Sequence, residues 1–521
     1  METKDEKLFS APITRRRFCE RLGIAGGIWA TWNLLNTKII SQAFAAQPKR
    51  GGVLTFAMAS TPDGFDPAYT RAYEQYHVAE LCYNRLVLMT PDLKLAPELA
   101  ERWEHSKKPN EWTFYLRKGI KFHDGKELEA KDVVTSLNYY LECKGPSASQ
   151  LAPAEKFEVI DKYKVKASLK TPYADFPYNL AKPQTVIVPH HIPREKLKST
   201  IVGTGPFKLK RFVPGERFEV ERYADYWDAK NLYLDAVNAV IIPDFATTMN
   251  ALISGEIDVM WDCEPEQFFA LKKRKGLVVH QVPGMTHQDI VMDTSVKPFD
   301  DIRVRQAFKA CLDREQFVTA VLQGLGSPAN DHPIAKFHKH YADFPLKKKD
   351  YNLSKKLLAE AGYPQGVEVT LHCSEVRSGM VPSALTLKDQ CSPAGIKINV
   401  KVAPSDSYWK QVYRKVPFFL DNWGGRETTY SNLYTWHHSK GSHNTAKYYN
   451  SLIDSCLDEG VSETEPVREM KLYVAAQTAI SELGGMIIPY LRDYTMAHSD
   501  KIHGYPLYFN KWMRWIGVWK G

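Results

Sequence analysis

Two hydrophobic periodicities interleave along almost the whole chain, and this restricts its fold more than any other property. Trp112-Thr113-Phe114-Tyr115-Leu116-Arg117 alternates apolar and polar side chains, the pattern of a half-buried strand. Phe207-Lys208-Leu209-Lys210 and Phe218-Glu219-Val220-Glu221 repeat it on either side of Pro214-Gly215, which suggests a hairpin. Further on the period becomes 3.6. Val304, Ala307, Phe308, Cys311 and Leu312 share one helical face behind the cap candidates Asp300 and Asp301. Leu353, Leu357, Leu358 and Ala361 form a second stripe, stopped by Gly362 and Pro364. Met470, Tyr473, Val474, Gln477 and Ile480 form a third. No internal repeat is present, so the class is α/β, or mixed α+β.

The first 46 residues read as an address and not as fold. Arg15-Arg16-Arg17-Phe18 precedes an interrupted apolar stretch, Leu22 to Ile40, and then Ala43-Phe44-Ala45-Ala46. This is a secretory signal of the twin-arginine type, with cleavage after Ala45 or Ala46. Removing residues 1–45, with seven Lys/Arg against four Asp/Glu, takes the net charge from +9 to +6. Mean hydropathy is −0.38, and no later run approaches the roughly 20 apolar residues of a membrane span. The expected location is the periplasm. Basic residues are scattered among nearly as many acids, so no nucleic-acid partner is expected. Seven cysteines remain after processing, an odd number with no C-x-x-C. Their pairing is not deducible from sequence, though Cys311 lies on an apolar stripe and reads as core.

A set of phrases gives a sharper expectation. In order they are Gly51-Gly52-Val53-Leu54-Thr55, Pro62 to Pro67, Leu95 to Ala100 and Phe114 to Gly125. Then come Gly203-Thr204-Gly205-Pro206-Phe207, Asp225-Tyr226-Trp227, Ala251 to Val259, Asp301 to Phe308, Leu312 to Glu315 and Leu357 to Tyr363. Together they resemble the extracytoplasmic solute-binding proteins of peptide-type ABC transporters, solute-binding family 5. The resemblance implies a two-lobed, periplasmic-binding-protein-like fold of structural cluster C, with an extra subdomain inserted in lobe I. Lobe I would comprise 47–85, 201–284 and 486–521, the insert 86–200, and lobe II 285–485. It also implies a monomer that captures a peptide or peptide-like small molecule by hinge closure and presents it to ABC permease subunits in the inner membrane. Opines, other amino-acid derivatives, sugars and metal chelates use the same scaffold.

Relatives that bind dipeptides hold the ligand's ammonium with an Asp shortly after a Trp, and its carboxylate with an Arg after a second-lobe strand. Here the Trp is Trp423, but Arg426 stands near the place of the Asp, with Glu427 beside it. Arg377, after the strand-like Val369 to Cys373, is the counterpart of the carboxylate-holding Arg. Arg offers carboxylate a bidentate fork, so Arg426 in the cleft favours an anionic ligand. The other reading pairs Arg426 with Glu427 or Asp421 on the loop. Tyr408, Trp409, Trp436 and Tyr76 are candidate aromatic walls, and Thr286 and His287 lie near the lobe crossing.

Two other chemistries are weaker. His332, His338 and His340, and His437, His438 and His443, cluster in sequence but lack the spacing of a metal motif. No metal or cofactor is expected. Ser407-Tyr408-Trp409-Lys410 fits S-x-x-K without its S-D-N and K-T-G partners. A hydrolase or a peptide chaperone therefore ranks below a binding protein.

Overall fold

The computed structural model describes residues 47–521; the signal expected at 1–46 lies outside the described residues. One mixed sheet runs through most of the molecule. From one edge its strands are Ile396–Ala403, Val367–Ser374, Phe418–Trp423, Leu277–Met292 and Tyr490–Ser499, then Val259–Met260, Val53–Met58, Ala236–Ile241, Arg217–Arg222 and Phe207–Val213. The hairpin around Pro214-Gly215 forms as expected, with Gly215 at φ 81°. A separate four-stranded sheet, Ala100–His105, Glu111–Leu116, Lys164–Leu169 and Ala154–Asp161, follows the alternation read at 112–117. Trp112, Phe114 and Leu116 face inward.

The helices follow their caps. Asp301 accepts from Arg303 N at the start of Ile302–Ala310, and Val304, Ala307, Phe308, Cys311 and Leu312 are all fully buried. The second stripe is rotated from the one expected. In helix Tyr351–Glu360, capped by Asp350, the innermost residues are Ser354 and Leu358, while Leu353 is exposed. The cause is specific: Ser354 Oγ donates to Ala307 O at 2.9 Å and meets Cys311 Sγ at 3.2 Å. A polar contact therefore sets the inward face. In helix Pro466–Leu483, Tyr473, Gln477 and Ile480 face inward as expected, but Val474 does not. The seven described cysteines are all free thiols.

The two largest apolar cores lie toward opposite ends of the sheet. One gathers Leu54, Phe56, Val220 and Val237 with the side chains behind the four-stranded sheet. The other gathers Ile290, Phe308, Leu371, Leu387 and Phe419. Two strands, Leu277–Met292 and Tyr490–Ser499, run between these regions and pair with each other. Their crossing positions the site.

Candidate ligand-binding site

The 16-residue strand Leu277–Met292 changes partner midway. Its first part pairs with Tyr490–Ser499; from His287 onward it also pairs with Phe418–Trp423. The register slips between Val282 and Thr286, where Pro283-Gly284 sits. Proline lacks a ladder donor and glycine allows close approach, so this pair suits the irregularity. A Cβ on Gly284 would collide with the Arg492 carbonyl. Across the way, Trp423 ends its strand and Gly424-Gly425 crosses over Met285 so closely that a Cβ on Gly425 would overlap the Met285 Cβ. Arg426 follows. Asn432, in helix Thr429–His437, accepts from Arg426 N and donates to Arg426 O, both at 2.8 Å. The residue at the expected place of the family's Asp is thus held at the crossing by main-chain hydrogen bonds.

Adjoining cavities surround this loop. One of about 280 Å³ is lined by Tyr76, Lys182, Trp423, Arg426 and Glu427. A smaller one, of about 100 Å³, is lined by Asp262, Thr286, Arg492 and Lys511 and shares Tyr73, Gly424, Gly425 and Asn510 with the first. A third, of about 740 Å³, shares Gln150, Lys182, Arg426 and Glu427 with it. Residues near positions 73–76, 150–184, 423–427 and 510–512 therefore meet around one space.

Most charges here are already paired. Lys182 Nζ lies 3.1 Å from Glu427 Oε2 and donates to Gln150 Oε1 at 2.7 Å. Lys511 pairs with Asp262 at 2.6 Å, and Arg492 with Glu264 at 3.1 Å. Arg426 differs. Among the described residues no carboxylate ion-pairs with it, and its Nε is buried without a hydrogen-bond partner. Its guanidinium carbon stands 5.3 Å from the Trp436 ring centroid, a weak cation–π contact that does not replace a counter-ion. Burial lowers its pKa, with Glu427 acting in the opposite sense. An unpaired, half-buried cation is costly until an anion meets it.

Beneath Trp423 lies a second unusual feature. Asp289 and Asp421 are paired across two antiparallel strands, and both side chains are buried. Asp421 accepts from Trp423 Nε1 at 2.7 Å and from Asn422 N at 2.8 Å. Among the described residues nothing hydrogen-bonds to either Asp289 oxygen; His287 Nε2 stands 3.5 Å away. Burial pushes the Asp289 carboxyl up to about 8. Burial, then the neighbouring Asp289, pushes Asp421 up to about 7. Burial also lowers His287 to about 4, so the imidazole is neutral.

Of the residues singled out in the sequence, Tyr76, Thr286, Trp423 and Arg426 line these cavities. The others lie elsewhere. Tyr408 is fully buried and donates its hydroxyl to Leu420 O at 2.6 Å, so it is core. Trp436 is buried between Trp423 and His287. His287 follows Thr286 on a pleated strand and so points to the opposite face. Arg377 and Trp409 are exposed and face each other at 6.0 Å, apart from the three cavities. The pairing of Arg426 with Glu427 or Asp421 is not formed, because Lys182 holds the first and the Trp423 indole the second. The sequence reading missed Tyr73, Lys182, Asp262, Asn510 and Lys511; no local pattern marks them, since each reaches the site from a different segment. His332, His338 and His340 are packed inside: His338 bonds Glu427 O and Thr429 Oγ1, and His340 bonds Thr429 Oγ1.

Comparison with known proteins decides the family. Residues 94–444 match the model of the bacterial extracellular solute-binding proteins, family 5. The chain belongs to this family. Among curated relatives, the glutathione-binding protein GsiB of Escherichia coli K12 is 28% identical over 488 residues, covering 89% of this chain and 93% of the relative. Among solved structures, HbpA2 from Haemophilus parasuis superposes with a TM-score of 0.83 at 23% identity, covering 90% of this chain and all of that one. The binding protein AgaA in complex with agropinic acid, from A. tumefacien R10, gives 0.73 at 27% identity over 90% of this chain and 99% of that one. The resemblance read from the sequence phrases and the expected mixed α/β fold are both borne out. This solute-binding protein is the capture component of an ABC importer, and it is not an enzyme. Among the described residues no helix is long and apolar enough to cross a membrane.

Proposed function

We propose that this protein captures a peptide or peptide-like solute bearing an anionic group, with Arg426 as the anchor of that group. The supporting observation is the charge inventory: Lys182, Arg492 and Lys511 have carboxylate partners, whereas among the described residues no carboxylate pairs with Arg426. A carboxylate would supply what the guanidinium lacks, through two parallel hydrogen bonds. Trp423 and Tyr76 provide the apolar wall, and Thr286 a hydroxyl at the crossing. The lobe division is 47–85, 201–284 and 486–521 against 285–485, with 86–200 as the insert. A ligand touching both sides stabilises the closed state and so shifts an open–closed equilibrium. The protein acts as a monomer in the periplasm, exported by its twin-arginine signal, and hands its ligand to the inner-membrane permease.

Glutathione, named for one relative, is a peptide with carboxylates, and agropinic acid, named for one structural neighbour, is an acid. The second favours a non-peptide alternative on the same anchor, an opine-like acid. Native mass spectrometry of freshly purified protein, followed by identification of any released ligand, tests both. The expected mass is that of a small carboxylic acid. A ligand with no anionic group sinks the reading. Small-angle scattering with and without that ligand is expected to show compaction, and an unchanged radius contradicts hinge closure.

A further inference from the structure

We infer that the 740 Å³ chamber beside Arg426 is a second part of the ligand site, receiving a flat or aromatic group carried next to the ligand's anion. This rests on Arg426 being the anion anchor. Arg426 and Glu427 line both this chamber and the cavity of about 280 Å³. An anion held by Arg426 therefore sits at the boundary, and its substituent has the larger space open to it.

Four tyrosines, Tyr173, Tyr178, Tyr430 and Tyr434, line the chamber. Tyr430 and Tyr434 lie at 5.0 Å between centroids with 33° between planes, and both are half-buried. Tyr173 also meets Tyr430, tilted, at 5.5 Å. Tyr434 is backed by His438, stacked at 4.4 Å, so one face is supported. Stacking on such a wall is specific for planar groups. Apart from Arg426 itself, charge is a weak competing signal: Lys182 and Glu427 neutralise each other, and Asp458 stands exposed.

The chamber also joins two parts of the chain that are far apart in sequence. One wall comes from residues 149–182 and the other from 426–462. Ala174 N donates to Val461 O at 2.8 Å between them, beside the Lys182–Glu427 bridge. A ring in this space would touch both walls, so the group beside the anion contributes to closure as well as to affinity. A solute with only hydrogen in that position would leave the space unfilled.

Isothermal titration with two tripeptides, Ala-Ala-Gly and Ala-Ala-Trp, tests this, because they differ only in the group beside the carboxylate. Wild type is expected to bind Ala-Ala-Trp about tenfold more tightly, the scale of one aromatic stacking contact. In Tyr434→Ala, and in Ser149→Trp, which fills the chamber from the opposite wall, that ratio is expected to fall to about one. Arg426→Ala is expected to weaken both peptides while leaving their ratio in place. Equal affinities in wild type, a preference that survives both chamber variants, or no binding of either peptide overturns the inference. An Arg426→Ala variant with unchanged affinity for both overturns the anchor beneath it, which separates the two failures.

Discussion

Arg85 and Asp289 are both buried ionisable side chains, and the protein treats them in opposite ways. Arg85 donates to Glu80 at 2.6 Å, to Glu98 at 3.2 Å and to Ala181 O at 3.0 Å, while Asn84 fills the other Glu98 oxygen. Every strong group in that cluster is answered. Asp289 has neither oxygen answered, and only a proton relieves its charge. Arg426, a few residues beyond the strand that pairs with Asp289, is likewise left open. The Arg85 cluster closes its charges among themselves; at the crossing Lys182, Arg492 and Lys511 are paired as well, but among the described residues the Arg426 guanidinium and the Asp289 carboxyl are left open. A closed cluster holds a shape, whereas an open guanidinium is free to meet a ligand, the role proposed for Arg426.

The largest effect should come from opening the closed cluster. Arg85→Met takes from Glu80 and Glu98 the cation that hydrogen-bonds to both and leaves them only the longer-range charge of Arg514, and the expected loss of stability is about 3 kcal/mol, read from urea unfolding. A loss below about 1 kcal/mol would mean the cluster is already hydrated.

Next comes Arg426→Ala, which removes the open cation. Affinity for a carboxylate ligand is expected to fall by about 2 kcal/mol or more, roughly thirtyfold, with little loss of stability because only a weak cation–π contact with Trp436 is abandoned. A lower melting temperature with unchanged affinity would reverse the roles.

The third effect concerns pH. The Asp289 carboxyl is raised in the folded protein to about 8, so the folded state holds its proton more tightly than the unfolded state. Its contribution is therefore favourable at low pH and is lost as pH rises from the ordinary carboxylate value toward about 8. Asp289→Asn should remove a downward slope of up to about 1.4 kcal/mol per pH unit. Urea midpoints at pH 5 and pH 8 would check this: wild type should lose more than the variant. Parallel losses would show that Asp289 is solvated.

The smallest effect tests how Arg426 is kept open. Lys182 occupies Glu427. In Lys182→Gln, Glu427 becomes free to compete for Arg426, and anionic ligands should bind more weakly by about 1 kcal/mol. Tighter binding would show that Lys182 itself competes for the anion.

The same contrast explains what was legible in the sequence. Features decided by neighbours along the chain were readable: the Asp301 cap, the Pro214-Gly215 hairpin, the alternation at Trp112 to Leu116. Features decided across the fold were not. Leu353 is exposed because Ser354 is claimed by Ala307 and Cys311 on another helix. Trp423 and Arg426 could be found because they stand in a recognisable phrase. Yet whether Arg426 was paired depended on Lys182, far earlier in the chain. Thr286 and His287 were indistinguishable by residue type; only strand register separated the cavity-facing side chain from the buried one.

The central claim is that an unpaired Arg426 meets the ligand's carboxylate, and a double-mutant cycle addresses it directly. Titrating wild type and Arg426→Ala with a carboxylate ligand and with its primary amide gives four affinities. The account expects amidation to weaken wild type about tenfold or more and to leave Arg426→Ala almost unaffected. An equal penalty in both proteins would contradict it, because the carboxylate would then be read elsewhere.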